Sequence, residues 1–327
     1  MQAELLTAGG LSLAARTRRR FFGLSADEAT FARRGFRPGD ERARQQLERV
    51  GESFLRGYNA ALDSDDHDAL ALSLGRVPRE FVGFAFEGAA MALALLDLLT
   101  PWSRSRWRTF AESHGRAHVY MMHVGLGWAL ARLGRRPTRH LARLDPLLGW
   151  LAVDGYGFHE GYFRWQRYVE RRHVHARLGG YARRAFDQGL GRSIWFVRGA
   201  DVRAVAATLD AFEPARRPDL WSGVGLAATY AGGAGRDELE HLLRASGEHR
   251  PQLAQGSAFA AKTRLLAGNV NEHTEEACRV FCGRTVAEAS AVPEAALENL
   301  HDEGALPAYE VWRRRVQARL TKEAVEL

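Results

Sequence analysis

The sequence predicts an all-α protein: an α-solenoid of tetratricopeptide-like helical pairs, arranged as two pseudo-repeated halves. Three observations carry this expectation. Apolar residues recur at spacings of three and four, as in Leu47, Val50 and Phe54 or in Val202, Val205, Ala206 and Leu209, and no sustained two-residue alternation competes with them. Most of the ten prolines fall between such stretches, at Pro78, Pro101, Pro137, Pro214, Pro218, Pro251 and Pro293, where proline starts or stops helices. A small residue also sits at the centre of one apolar stretch after another.

Taken in order, those stretches surround Gly57 (FLRGYNAAL), Gly88 (FAFEGAAMAL), Gly125 (HVGLGWAL), Gly161 (GFHEGYFRW), Gly189 (FDQGLGRSI), Gly223 (LWSGVGLAA) and Gly256 (LAQGSAFAA). Their separations are 31, 37, 36, 28, 34 and 33 residues, with Gly23 and Gly283 as outlying members. A helix–turn–helix unit of about 34 residues is the tetratricopeptide signature. Glycine within a helix costs about 1 kcal/mol against alanine, so a regular series implies close backbone packing at a fixed place in each unit. Second, shorter amphipathic stretches fall between them, at 138–153, 202–212, 236–246 and 275–281. Gly88, Gly125 and Gly161 map onto Gly189, Gly223 and Gly256 with offsets of 101, 98 and 95, and 145–155 maps onto 237–247 with an offset of 92. The halves are therefore 1–170 and 171–327, read as one continuous array that packs across the polar junction 170–180.

Composition removes several classes. The net charge is +7, but all except Lys262 and Lys322 of the 46 basic residues are Arg, and they are spread among 39 acidic residues. Only Arg16 to Arg20 is dense, and no nucleic-acid-reading motif accompanies it, so no nucleic-acid partner is expected. The two cysteines, Cys278 and Cys282, share a helix face and read as core residues, not as a disulfide or a zinc site. The most apolar stretch, 81–102, is interrupted by Glu87 and Asp97, so no membrane span is expected. Thr17-Arg18-Arg19-Arg20-Phe21-Phe22 resembles a twin-arginine export signal, but no apolar stretch follows. A cytoplasmic location is the expectation. Phosphate-loop, dinucleotide-binding and nucleophile-elbow motifs are absent, as are HExxH-type zinc motifs, so no cofactor and no metal are expected.

In solenoids the first helix of each pair commonly lines the concave binding face. The residue before each repeat glycine then forms a ladder: Arg56, Glu87, Val124, Glu160, Gln188, Ser222 and Gln255. One turn on come Ala60, Met91, Trp128, Arg164, Arg192, Leu226 and Phe259, so Glu160–Arg164 and Gln188–Arg192 are expected pairs. The densest patch, 154–165, joins a carboxylate, an imidazole and several aromatic rings. Catalytic candidates are His159 as proton carrier, with Glu160 or Asp187 as its orienting partner. Ligand-binding candidates are Glu87, His123, Trp128, Tyr156, Tyr162, Arg164, Gln188, Arg192, Trp221 and Gln255, with Arg192 an anchor for a polar end. The competing reading of the same residues is structural: a His-Glu dipeptide inside an apolar helix is commonly a satisfied core pair.

The segments GLSADEATFARRGF, FLRGYNAAL, EGAAMALALLDLL, DPLLGWLAVDGYGFHEGYF, FDQGLGRSIWF, DLWSGVGLAATYAGG and HRPQLAQGSAFAAK resemble an actinobacterial family of unknown function encoded beside enediyne polyketide synthases. The resemblance covers roughly residues 17 to 320 and carries over no catalytic residue. It implies a role in converting the linear polyene made by such a synthase into the enediyne core, in antibiotic biosynthesis. The expected partners are a hydrophobic polyene and other proteins of that pathway. The alternative is a non-catalytic helical-repeat scaffold for partner biosynthetic proteins.

Overall fold

The computed structural model describes residues 12–37, 39–100, 102 and 105–322. In chain order the helices are α1 (Leu13–Phe22), α2 (Phe31–Arg34), α3 (Glu41–Asp63), α4 (His67–Leu74), α5 (Val82–Leu99), α6 (Arg106–Glu112), α7 (Val119–Arg132) and α8 (Trp150–Phe163). They continue as α9 (Tyr181–Val197), α10 (Val202–Asp210), α11 (Arg217–Ala231), α12 (Arg236–Ala245), α13 (Arg250–Leu266), α14 (Glu272–Cys282), α15 (Val286–Ala295) and α16 (Ala308–Lys322). Among the described residues there is no strand beyond an isolated bridge between Glu303 and Leu306. The fold is an all-α helical repeat.

Local chemistry sets many of the helix boundaries. Asp40, Asp66, Asp201, Asn271 and Thr285 each accept a backbone N–H of the first turn, supplying a partner that the helix itself lacks. Pro218 and Pro251 occupy the first turns of α11 and α13, where a missing N–H costs nothing. Gly35 and Gly283 close α2 and α14 in the left-handed region. Pro293 is an exception to the expected junction role. It lies within α15, and its carbonyl accepts the indole N–H of Trp312 at 2.7 Å. Pro101 lies outside the described residues.

The helices α3, α5, α7, α8, α9, α11, α13 and α15 form one row in which each packs on the next. They run in the same direction. Arg184 near the start of α9 binds Asp219 near the start of α11, while Trp195 near the end of α9 donates to Gly232 O just past the end of α11. The shorter helices α4, α6, α10, α12 and α14 return the chain between rows. Between α7 and α8 the return is two 3-10 turns, Pro137–Arg139 and Leu141–Arg143. The expected helix over 138–153 is therefore absent: α8 begins at Trp150 and belongs to the inner row. The offset of 92 fails for the same reason, because 145–155 runs into α8 whereas 237–247 is outer helix α12.

The glycines set the spacing of the row, in a register that differs from the expected one at two places. A methyl group at Gly88, Gly125, Gly155, Gly189, Gly223 or Gly256 would overlap a backbone carbonyl oxygen of the preceding row helix: Phe54, Glu87, Val124, Asp154, Gln188 and Ser222 in turn. Two residues along, Gly127, Gly157, Gly191 and Gly225 abut Ala152 O, Phe186 O, Leu220 O and Leu253 O of the following helix, and Gly57 abuts Ala85 O. The row helices α7, α8, α9 and α11 thus use a G-x-G pair, one glycine for each neighbour, while α5 and α13 keep the first glycine and have Ala90 and Ala258 at the second position. Gly57 is a second glycine, so Leu55 holds the first position in α3. In α8 the first position is Gly155, not Gly161, which faces the Ser193 side chain instead.

The row also curls back on itself. The rings of Phe84 in α5 and Tyr230 in α11 pack edge to face with centroids 5.0 Å apart, Gln46 in α3 donates to Ala231 O at 3.0 Å, and Arg264 in α13 donates to Glu80 O at 2.6 Å. α5 has the length and apolarity of a membrane span, yet most of it is enclosed by its neighbours. Segments toward both ends of the described residues close over the interior. At one end, Phe36 packs on Tyr162 and the Trp165 indole donates to Arg34 O at 3.0 Å. At the other, α16 buries Tyr309, Trp312 and Arg313 against the row.

Candidate functional site

The ladder position, corrected for register, reads Phe54, Glu87, Val124, Asp154, Gln188, Ser222 and Gln255, and all seven are buried. Arg56, expected in this ladder, is exposed. Polar groups recur here because small residues bring the helices together beside a surface that faces the axis of the coil. One turn on lie Met91, Trp128, Phe158, Arg192, Leu226 and Phe259, which complete an inner wall of rings and aliphatic groups around a few charges.

The centre of that wall is Glu87, Asp154 and Arg192. Arg192 donates to Asp154 Oδ1 at 2.6 Å, and its guanidinium lies over the Phe158 ring, 4.6 Å from the centroid. Arg192 and Asp154 are 4% and 0% exposed, so this is a desolvated ion pair. Burial works against the charge on Arg192, but the Asp154 and Glu87 carboxyls override it and raise its pKa. Burial pushes the Asp154 carboxyl up against the pull of Arg192. One guanidinium therefore serves two acids. Glu87, the acid left without a direct bond to it, is 1% exposed, and burial raises it to about 7, opposed by Arg192 and reinforced by Asp154. Its Oε1 has no hydrogen-bond partner among the described residues.

Glu87 lines a cavity of about 40 Å³ whose wall includes Phe54, Phe84, Met91, Trp128, Phe158, Tyr162 and Phe196, and whose cover is Leu24, Glu28 and Ala29 of the N-terminal segment. A second cavity, about 30 Å³, is lined by Val124, Leu151, Arg192, Leu226, Tyr230, Phe259 and, from α16, Trp312. On α7, α8 and α9 its lining residues precede those of the first by about one to two turns. Such volumes hold water molecules.

The other expected residues fall into separate groups. His159 Nδ1 faces Glu160 Oε1 at 3.5 Å, and Arg164 donates to Glu160 Oε2 at 3.0 Å, so the expected Glu160–Arg164 pair forms. Burial lowers the His159 pKa, which leaves the ring neutral near pH 7. Burial also opposes the charge on Glu160, but His159 and Arg164 outweigh it and lower that carboxyl. His159 packs behind Trp128, with ring centroids 5.5 Å apart, and the Arg164 side chain reaches solvent. Tyr156 OH is 3.4 Å from His175 Nε2. His123 is held by Val119 O at 2.8 Å and packs edge to face on Trp107.

Two expected pairings are replaced. Asp187 is not the partner of His159: both its oxygens bind Arg216, at 2.9 and 2.5 Å, because Arg216 approaches from the turn before α11. Arg192 pairs with Asp154, not with Gln188, because the neighbouring helix presents a full negative charge. Gln188 instead donates to Tyr309 OH at 3.1 Å. Gln255 accepts from Ser222 at 2.9 Å and from Arg313 at 3.2 Å, and Trp221 is 1% exposed in the core. Asp154 is the central residue that sequence reasoning passed over as a site. Its signal was present: a residue followed by G-x-G, as in Gln188-Gly189-x-Gly191 and Ser222-Gly223-x-Gly225.

Cys278 and Cys282 are free thiols, and among the described residues no group of three or more His, Cys, Asp or Glu side chains is placed to hold a metal ion. No curated protein and no solved structure matches the chain. The family described as "Protein of unknown function (DUF1702)" matches residues 13–320, and with nearly the whole chain covered the protein belongs to that family.

Proposed function

We propose that this protein takes a linear, hydrophobic polyene into the interior of its helical coil and helps convert it to an enediyne core, as a maturation component of polyketide biosynthesis. The observation that carries the ligand reading is the first cavity: an aromatic-lined space with an acid in its wall, covered by Leu24, Glu28 and Ala29. Apolar pockets with a few convergent polar groups are where small ligands bind, and stacked rings suit a flat conjugated chain. The pathway and the polyene itself rest on the sequence resemblance described above. The present volume is far below that of a polyene. Binding therefore requires the cover, built from the four-residue 3-10 turn Ala26–Ala29 and the four-residue α2, to move aside. Short segments commonly serve as lids over binding sites.

The test is co-expression with a polyene-forming synthase, followed by purification, solvent extraction and mass spectrometry, with Met91→Trp as a cavity-filling control. A new product that disappears in the control supports maturation, and unchanged polyene on the protein supports a carrier. Neither product nor bound polyene moves the reading to a scaffold that organises partner proteins, a common use of helical repeats.

A further inference from the structure

Among the described residues, the buried acids Glu87, Asp154 and Glu160 each keep one oxygen without a hydrogen-bond partner, and of these three Glu87 is the one that lines the aromatic cavity. Resting on the interior-ligand reading, we propose that the ligand carries an oxygen function, a carbonyl or hydroxyl, part-way along its apolar length, and that the Glu87 carboxyl hydrogen-bonds it through Oε1. The position of Glu87 argues for part-way rather than terminal. It stands at the ladder level of α5, with the first cavity beside it and the second one to two turns away along α7, α8 and α9. The walls of both cavities are mainly apolar and suit apolar arms, with Arg192 and Lys262 also lining the second, and Glu87 in the wall of the first suits one polar group.

The charges around Glu87 decide which polar group. Arg192 of α9 is committed to Asp154 of α8, Trp128 comes from α7, and Tyr230 comes from α11. α3 contributes Phe54, and Glu28 of the covering segment is paired with Arg33 and Arg34. A second carboxylate on the ligand would meet Glu87 and Asp154 in a desolvated space. A neutral oxygen acceptor meets a protonated carboxyl, which donates. A polar interior built to bond an oxygen also rejects an analogue lacking it, because the acid is then left unpaired.

The experiment compares binding of two probes to the full chain by fluorescence: a conjugated tetraene hydrocarbon and the mid-chain tetraene ketone of the same length. At pH 6 the ketone should bind about tenfold more tightly, the worth of one buried hydrogen bond. That preference should fade above pH 8, where Glu87 ionises and loses its donor. Glu87→Gln keeps a donor at every pH and should keep the preference at pH 8, while Glu87→Leu should abolish it. Equal binding of both probes at pH 6, or a ketone preference that survives Glu87→Leu, overturns the proposal while leaving the interior-ligand reading standing. Binding of neither probe overturns both. The two-probe comparison on the unmodified chain needs no variant to fold.

Discussion

The two halves of the inner wall place polar groups at the same repeat position and use them differently. In the C-terminal half, Gln188 bonds Tyr309, and Gln255 bonds Ser222 and Arg313, so helix α16 takes up the ladder. Arg313 also binds Asp219 at 2.7 Å and Glu310 at 3.1 Å, and Arg184 reaches both acids from the rim. In the N-terminal half, the covering segment brings Leu24, Ala29 and Glu28 to the cavity, Glu28 is paired with Arg33 and Arg34, and Glu87 keeps an unpartnered oxygen beside that cavity. The difference separates structure from function within one repeat: ladder groups bonded by a terminal helix hold the coil shut, and Glu87, the ladder acid in the cavity wall, is available to a ligand.

The sharpest way to break the comparison is Arg313→Met. It strips a buried cation from Asp219 and Glu310, and losing one partner of a buried charge cluster costs about 3–5 kcal/mol. Urea unfolding should show that loss, and a change below about 1 kcal/mol would mean that α16 is not a structural plug. Next comes the pH dependence of Glu87. Its folded pKa, about 7, lies above the ordinary value of 4.5, so the folded state binds the extra proton between those values and stability falls as pH rises through that window. The expected loss is about 3 kcal/mol. Glu87→Gln should flatten the profile, gaining on the wild type from pH 5 to pH 8, and parallel profiles would contradict the assignment. Smaller still is Gly189→Ala, which drives a methyl into Asp154 O and should cost about 1–3 kcal/mol by overpacking, whereas Gly179→Ala, with open space around it, should change stability by less than about 0.5 kcal/mol. Equal effects of the two would remove the glycine register as the cause of close packing.

How much of this was legible in the sequence follows from where each signal lies. Helix class is local, carried by apolar spacings such as Leu47, Val50 and Phe54. The close approach at Gly88, Gly125, Gly189, Gly223 and Gly256 was also readable, because glycine in an apolar helix has few other uses. The register failed at Leu55, where an ordinary residue fills the glycine position, and at Gly155, where Gly157 and Gly161 compete and the preceding outer helix has shrunk to two 3-10 turns. Glu87, Trp128, Gln188, Arg192 and Gln255 were found as candidates because the ladder rule holds for them, and Tyr162 because it lies in the dense patch 154–165. The ion pairs of Asp187 and Asp154 were missed because their partners, Arg216 in the turn before α11 and Arg192 on α9, come from neighbouring elements whose relative rotation no spacing rule contains. The capping of the interior by the two termini was not legible at all: Tyr309 meets Gln188 across 121 positions, and Trp165 meets Arg34 across 131.

The most direct test of the account is to lock the cover. A Cβ at Gly51 would stand 2.9 Å from Ala29 Cβ, within about an ångström of disulfide spacing, so Ala29→Cys with Gly51→Cys should cross-link the N-terminal segment to α3. Fluorescence titration with the tetraene ketone should show binding when the pair is reduced and at least a tenfold loss when it is oxidised. Equal affinity in both states, with the cross-link confirmed by mass spectrometry, would contradict the claim that the ligand enters the interior beneath that segment.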